Sequence, residues 1–493
     1  MNVLMLVVVP VIILAIVAAL VIAQYDISKN NRRGKLVIPI LSLIIPIALL
    51  IIFILIYKIS GVVIMKSSML LISVLLFIGV QVAIIGFIIE MVFRSTEKNL
   101  VYKRSSSAME KVTDTIINVG VNDYDIILFE SQYMLEKGMA YNSYVILDDK
   151  VAVMDTVDSD VTDEWLKNLE ETLDGRDVDY VVVQHMEPDH TGSLLKLIEK
   201  YPEMKVVGNA KTFPMMEQFF GVDIEDRKVT VAEGDTLELG KHTLTFVMAP
   251  MVHWPEVMVT YEKNEKVLFS ADGFGKFGTR DADEDWTCEA RRYYFNIVGK
   301  YGMQVQMLLK KLANIEVDII CPLHGPVLTE NIGYYVDKYN TWSSYEPEDK
   351  GIFIACASIH GNTKKAAEKL KEMLEEAGAE KVAMADLCTE DIHEAVEDAF
   401  RYDRMVLAAS SYDGGVFPPM AEFLHLLKIK NFQKRTVAII ENGSWGPTAA
   451  RVMKSELEGM KAIEIVEPVI TIRSAMKPEN ETQMKELIAA LVK

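Results

Sequence analysis

The hydrophobic positions of this chain follow three different patterns in turn. Residues 3–23, 36–57 and 69–93 are almost unbroken apolar stretches of about 20 residues or more, long enough to predict three membrane-crossing helices. From about 105 to 345 the apolar residues come in short, β-branched runs separated by turns. Residues 139–146 and 151–155 predict paired strands around Asp148-Asp149, residues 165–173 have helical spacing, and 180–183 form a buried strand. From about 350 a third pattern begins: apolar strands at 352–356, 405–409 and 437–440, with a long amphipathic helix over 363–377. The polar run Tyr345-Glu346-Pro347-Glu348-Asp349-Lys350 marks the last boundary. The expected domains are therefore 1–104, 105–347 and 348–493, and the class is α/β behind a three-helix transmembrane segment.

Charge sharpens this division. Residues 1–104 hold ten Lys or Arg against three Asp or Glu, about +7, so with −19 overall the remainder carries about −26. An acidic body of that size argues against a nucleic-acid partner. The first stretch lacks the basic leader of a cleaved signal peptide. Lys29, Arg32, Arg33 and Lys35 follow the first stretch, and Arg94, Lys98, Lys103 and Arg104 follow the third. The basic loops predict an outside N-terminus and a C-terminal body in the cytoplasm, on a multi-pass cell-membrane protein. No histidine precedes His185, which excludes a bis-histidine haem in the membrane part, and Asp26 and Glu90 lie near helix ends. An anchor is the expected role, with an interface for a membrane electron donor as a further possibility. The four cysteines, Cys288, Cys321, Cys356 and Cys388, form no CxxC pair, so a four-cysteine iron or zinc site is not expected and a reducing compartment fits.

The densest chemistry lies in QHMEPDHTG, residues 184–192, directly after the apolar run 180–183. His185, Glu187, Asp189 and His190 within six residues would be costly to bury without a metal or another charge partner. Three more candidates follow apolar runs downstream: His253 in MVHWPE, Asp272 in SADGFG and His324 in CPLHGP. Singly, each has an ordinary reading as a satisfied core histidine or a turn residue. Recurrence at strand ends is what joins them into one site. His242 reads as a strand residue without a metal role, and His393 and His425 as helical residues.

The third region offers a second kind of site. Ser358-Ile359-His360-Gly361-Asn362-Thr363 joins a strand to a helix, where hydroxyls and backbone N–H groups make an anion cradle. It is not the phosphate loop of nucleotide hydrolases. Ser410-Ser411-Tyr412-Asp413-Gly414-Gly415 and Glu441-Asn442-Gly443-Ser444-Trp445-Gly446 follow the next two strands. Each is glycine-rich and carries an aromatic residue able to face a flat ring. Strand ends of a doubly wound sheet form its ligand crevice.

The order H-x-E-x-D-H, then His, Asp and His at wide spacing, resembles the metallo-β-lactamase fold in its flavodiiron form, and the three later loops resemble those of flavodoxin. The hydrolase branch of that fold usually carries histidine where Glu187 stands, and the carboxylate favours iron over zinc. The resemblance implies an αββα sandwich followed by a flavodoxin-like doubly wound parallel sheet. It also implies one iron on His185, Glu187 and His253, a second on Asp189, His190 and His324, and Asp272 bridging them. In some members the residue matching His190 is not a ligand, and some carry a histidine in the segment matching Leu128-Phe129-Glu130-Ser131, where this chain has none. FMN would lie on Ser358 to Thr363 by its phosphate, with Ser410 to Gly415 and Asn442 to Gly446 flanking its ring. The implied activity is reduction of O2 to water or of NO to N2O, with a separate donor: a rubredoxin-like protein, a flavin reductase or a membrane partner. A head-to-tail homodimer or a homotetramer would bring one chain's flavin to the other's irons. The alternatives are a hydrolase of this fold with a flavin-binding module, and a gas or redox sensor.

Overall fold

A computed structural model describes residues 109–222 and 224–492. The three apolar stretches expected to cross a membrane lie outside the described residues. Among the described residues no helix is long and apolar enough to cross a membrane.

Side-chain alternation along the strands dictates the first lobe. The parallel strands Ala152–Met154, Tyr180–Val182, Lys205–Asn209 and Lys228–Val231 continue an antiparallel half built from Glu110–Lys111, Ile116–Asn118 and Tyr144–Ile146. Val181, Val183 and Val206 point to one side, where they meet Trp165 and Leu169 of the helix Thr162–Leu173 and Leu194 and Leu197 of Leu194–Lys200. Val182 and Val207 point to the other side and pack on Leu244, Phe246, Met258 and Phe269 of a second, five-stranded sheet. The outer face of that second sheet, with Val247, Val259, Leu268 and Ile320, is covered by Trp286, Val305, Leu308 and Trp342 from helices. With period-two strands buried on both faces, the result is helix, sheet, sheet, helix.

Residues 139–146 do not form one strand as expected. Met139–Tyr141 pairs with Val121–Asp123, and Tyr144–Ile146 pairs with Ile116–Asn118 and Ala152–Met154. The break falls at Asn142 and Ser143. The buried Asn142 side chain donates to the carbonyls of Pro322 and Gly325, both at 2.8 Å, and Ser143 Oγ donates to that of Asp155 at 2.8 Å. These distant partners hold the chain off the ladder.

In the second lobe, strands are parallel in the order Val382–Asp386, Asp349–Ala357, Tyr402–Tyr412, Gln433–Asn442, with Lys461–Ile465 and Ile470–Ile472 both beside the last. Ile352, Ile354 and Cys356 face the helices Asn362–Glu376 and Pro478–Leu491, whereas Phe353, Ala355 and Ala357 face the opposite side. This is a doubly wound sheet. Residues Ser410 to Tyr412, expected in a loop, extend the strand Tyr402–Tyr412. The chain turns at Asp413-Gly414, both at positive φ, and Gly415–Val416 pairs back on Ser411-Tyr412. The two lobes share one apolar core, in which Phe295 stacks on Phe400 at 4.2 Å. Buried Arg291 of the first lobe pairs with Glu348 at 3.0 Å and, more closely, with Glu397.

Candidate metal centre and flavin edge

All seven candidate metal-ligating side chains converge. The strand Tyr180–Val182 runs into a short helix, Pro188–Thr191, whose proline starts it at a position where the missing N–H costs nothing. His185 and Glu187 are held ahead of that helix, and Asp189 and His190 on it. In the second sheet, Thr243–Met248, Val267–Phe269 and Ile319–Cys321 run in one direction, with antiparallel Met258–Glu262 between the first two. Their C-terminal ends therefore open on one edge and supply His253, Asp272 and His324.

The seven fall into two sets. In the first, His185 Nε2 is 3.1 Å from Glu187 Oε2 and 3.3 Å from His253 Nε2, and His253 Nε2 is 3.1 Å from Glu187 Oε2. In the second, Asp189 Oδ2 is 3.3 Å from His190 Nε2 and 3.2 Å from His324 Nε2. Asp272 spans both: Oδ2 is 2.9 Å from His253 Nε2, and Oδ1 is 3.0 Å from His190 Nε2.

The electrostatics are those of acids and imidazoles crowded out of water and paired with one another. Burial pushes Asp189 up to about 7. Burial also acts on Asp272, but His185 and His190 hold it well below the usual carboxylate range. Burial opposes charge on His253, yet Asp272 and Glu187 raise it to about 9. Both oxygens of Asp189, both ring nitrogens of His190, Asp272 Oδ1 and His324 Nε2 are buried without a hydrogen-bond partner. Protons alone leave these groups unsatisfied.

Residues that the sequence reading did not single out hold the ligands in place. Glu256 Oε1 lies 2.8 Å from His185 Nδ1 and accepts the Met186 N–H at 2.8 Å. His324 Nδ1 donates to the Ala140 carbonyl at 2.8 Å. Such bonds fix the ring so that Nε2 faces inward. Buried Asp155 accepts the Gln184 N–H at 2.8 Å and the Gln184 amide at 2.9 Å, anchoring the start of the ligand loop. Phe129 packs edge-on against His324 at 5.4 Å and Trp254 against His185 at 5.3 Å. The one signal for Glu256 was an acid three residues after His253. Glu130, in the segment where some flavodiiron members carry histidine, is raised to about 7 by burial and by the nearby Glu187.

The flavin candidates sit together at the C-terminal edge of the doubly wound sheet. Gly361, at φ 82°, turns the chain into the helix Asn362–Glu376, a left-handed geometry that favours glycine. Thr363 Oγ1 lies 2.9 Å from Ser410 Oγ, and Ser358 Oγ is buried without a partner. Ile359, Tyr412 and Trp445 are exposed, Trp445 by 93 %; His360 is exposed beside them. Other members of the set are committed inside the protein. Ser411 Oγ accepts the Thr448 N–H at 2.8 Å and the Ala449 N–H at 3.1 Å, capping the helix Ala449–Glu458. Asn442 exchanges hydrogen bonds with the Ser474 backbone at 3.0 and 3.1 Å, and Ser444 Oγ accepts from Ser474 Oγ at 2.9 Å.

Comparison with known proteins bears on both halves. The family model ODP family beta lactamase matches residues 139–325. A nitric oxide reductase of Moorella thermoacetica is 28 % identical over 387 residues, covering 76 % of this chain and 96 % of that protein. An uncharacterized protein of Methanocaldococcus jannaschii is 29 % identical over 378 residues, covering 75 % and 94 %. Among solved structures, rubredoxin oxygen:oxidoreductase from Desulfovibrio gigas matches with a TM-score of 0.73 and 26 % identity over 78 % of this chain and 98 % of that one. The flavodiiron protein from Giardia intestinalis has the same fold, with a TM-score of 0.72, 24 % identity and coverage of 78 % and 95 %. The chain is thus similar over most of its length to proteins named as a nitric oxide reductase and a rubredoxin oxygen:oxidoreductase.

The donor sets suit the groups that a flavodiiron protein holds. Four imidazoles and three carboxylates in two sets, with one carboxylate reaching both, form a hard, anionic pair of positions suited to iron. The buried, unpartnered Ser358 hydroxyl at a helix N-terminus suits a phosphate, and exposed Trp445 and Tyr412 suit a flat ring.

Proposed function

We propose that this chain, a flavodiiron oxidoreductase, reduces dioxygen to water or nitric oxide to nitrous oxide in the cytoplasm, held at the cell membrane by its first 104 residues. The observation that carries the reading is the meeting of all seven ligand side chains in two buried sets spanned by Asp272, on a chain that also carries a flavodoxin-like sheet. When bound, the irons supply the place where a diatomic is held and reduced, and FMN supplies electrons one at a time. The chain's own part is to orient and exclude water. His185, Glu187 and His253 would hold one iron, Asp189, His190 and His324 the other. Glu256 and the Ala140 carbonyl keep His185 and His324 turned inward. Phe129 and Trp254 wall the site. Ser358, Thr363 and the helix that follows would receive the FMN phosphate.

Support for anchoring is the three apolar stretches with basic loops on one side. Support for a head-to-tail assembly is an exposed apolar rim at each site. Ile127, Leu128 and Met134 lie beside the metal-site residue Phe129, and Ile359 and Trp445 at the flavin edge. A separate protein would deliver electrons. The test is anaerobic: the full chain is purified in detergent, its iron, zinc and FMN are counted, and the reduced protein is mixed with O2 and with NO. Two irons and one FMN per chain with fast reoxidation by either gas is the expected result. Zinc in both positions, or reoxidation that survives removal of iron, would overturn the reading.

A further inference from the structure

A third group of ligand-type side chains stands at the opposite end of the five-stranded sheet. His242 lies just before the strand Thr243–Met248, in the hairpin loop rather than in the strand itself, and Glu262 ends its antiparallel neighbour Met258–Glu262. The metal loops follow the other end of Thr243–Met248, about 17 Å away at the rise of an extended strand. Glu265 sits in the turn that follows Glu262.

His242 and Glu262 are buried, and one ligand atom from each of His242, Glu262 and Glu265 lies within 4.8 Å of the others. His242 Nδ1 is 3.0 Å from Glu262 Oε1, the spacing seen between neighbouring ligand atoms in the main centre. That nitrogen, on a ring only 2 % exposed, nevertheless has no aligned hydrogen bond. The far nitrogen, Nε2, is engaged by the Thr115 hydroxyl at 2.9 Å, and Thr113 Oγ1 donates to Glu265 Oε2 at 2.6 Å. Glu262 is steadied by the N–H groups of Asn264 at 2.8 Å and Glu265 at 2.6 Å. A ring fixed through one nitrogen, with the other aimed at carboxylates, is the arrangement of a metal-binding histidine and its outer support. Charge points the same way. The ionisable groups facing His242 are Glu262, Glu265 and Asp148, all acids. Lys266, next in the turn, is directed to Glu316 at 2.9 Å and Asp318 at 3.7 Å. Glu262 is buried and Glu265 and Asp148 are half-buried, so one imidazole faces more carboxylate than it balances, and a divalent cation would balance it.

We propose that His242, Glu262 and Glu265 bind one divalent cation of the zinc class, as a structural staple that ties Thr113 and Thr115 to the Glu262–Lys266 turn. The imidazole nitrogen with two carboxylate oxygens suits Zn2+, and three protein ligands leave one position for water. The full chain, loaded with iron and cleared of loose metal, is titrated with Zn2+ alone, and zinc and iron are counted after gel filtration. The expected result is one zinc per chain added with no loss of iron. Glu265→Gln, a mild change at a half-buried position, and His242→Asn should each weaken that zinc at least tenfold with iron and gas reduction unchanged. No added zinc, zinc gained only in exchange for iron, or zinc retained at full affinity in Glu265→Gln would overturn the proposal.

Discussion

The metal centre and the flavin edge use their polar atoms in opposite ways. At the metal centre the ligand side chains are almost wholly buried, drawn from both sheets of the first lobe, and several atoms have no hydrogen-bond partner in the protein. At the flavin edge the side chains come from one sheet and many of their polar atoms are already used internally, as in Ser411 and Asn442. What stands open there is aromatic surface, above all Trp445. A site that crowds ionisable groups out of water gains stability as well as chemistry from its ligand. A site of satisfied loops and exposed rings requires it for occupancy alone.

That contrast can be broken most severely at Asp272, the residue that reaches both metal sets. Asp272→Asn should cost more than half of the iron and lower turnover by on the order of 100-fold or more; elemental analysis and stopped-flow reoxidation read both. Glu256→Gln should leave the ligands in place but loosen His185, weakening iron by roughly 10- to 100-fold in a chelator competition.

Acidity distinguishes the loaded from the metal-free centre. His253, raised to about 9 in the folded metal-free chain, has an ordinary value of about 6.5 when unfolded. Its proton therefore stabilises the metal-free fold fully below about 6.5, and this contribution, on the order of 3 kcal/mol, is lost as pH rises through 9. Thermal melts of the metal-free chain should fall across that window. Those of the iron-loaded chain, in which the metal would take the place of the titrating proton of His253, should not. Parallel curves would show that this proton does not contribute.

The flavin edge should respond more gently. Trp445→Ala, at a position 93 % exposed, should leave the melting temperature alone and weaken FMN about fivefold, near 1 kcal/mol, in a fluorescence titration. Ser411→Ala removes the acceptor for two N–H groups at the start of Ala449–Glu458 and should cost about 1 kcal/mol in a urea denaturation. A larger loss of flavin than of stability in Ser411→Ala would mean that this hydroxyl faces the ligand after all.

Both lobes were legible as α/β layers because their strands announce themselves through short apolar runs. The metal cluster was legible because four of its side chains fall within six residues and the other three repeat one context, a strand end. What was hidden acts over distance. Glu256 meets His185 across 71 positions, and Asn142 breaks its strand to reach Pro322 and Gly325, 180 and 183 positions away. No local pattern carries such partners. At the flavin edge the glycine-rich loops were visible, but their hydrogen bonding was not. Ser411, expected at the ligand, also caps a helix, because a helix cap and an anion cradle draw on the same residue types.

Arg291 has a consequence for how such chains can be taken apart. It is buried in the first lobe, yet Glu348 and Glu397, its carboxylate partners, are supplied from beyond residue 347. A fragment ending there would keep a guanidinium without its anions and an uncovered Phe295. Exchange of the second lobe for another should therefore destabilise the chain unless the replacement carries acids at the same two places.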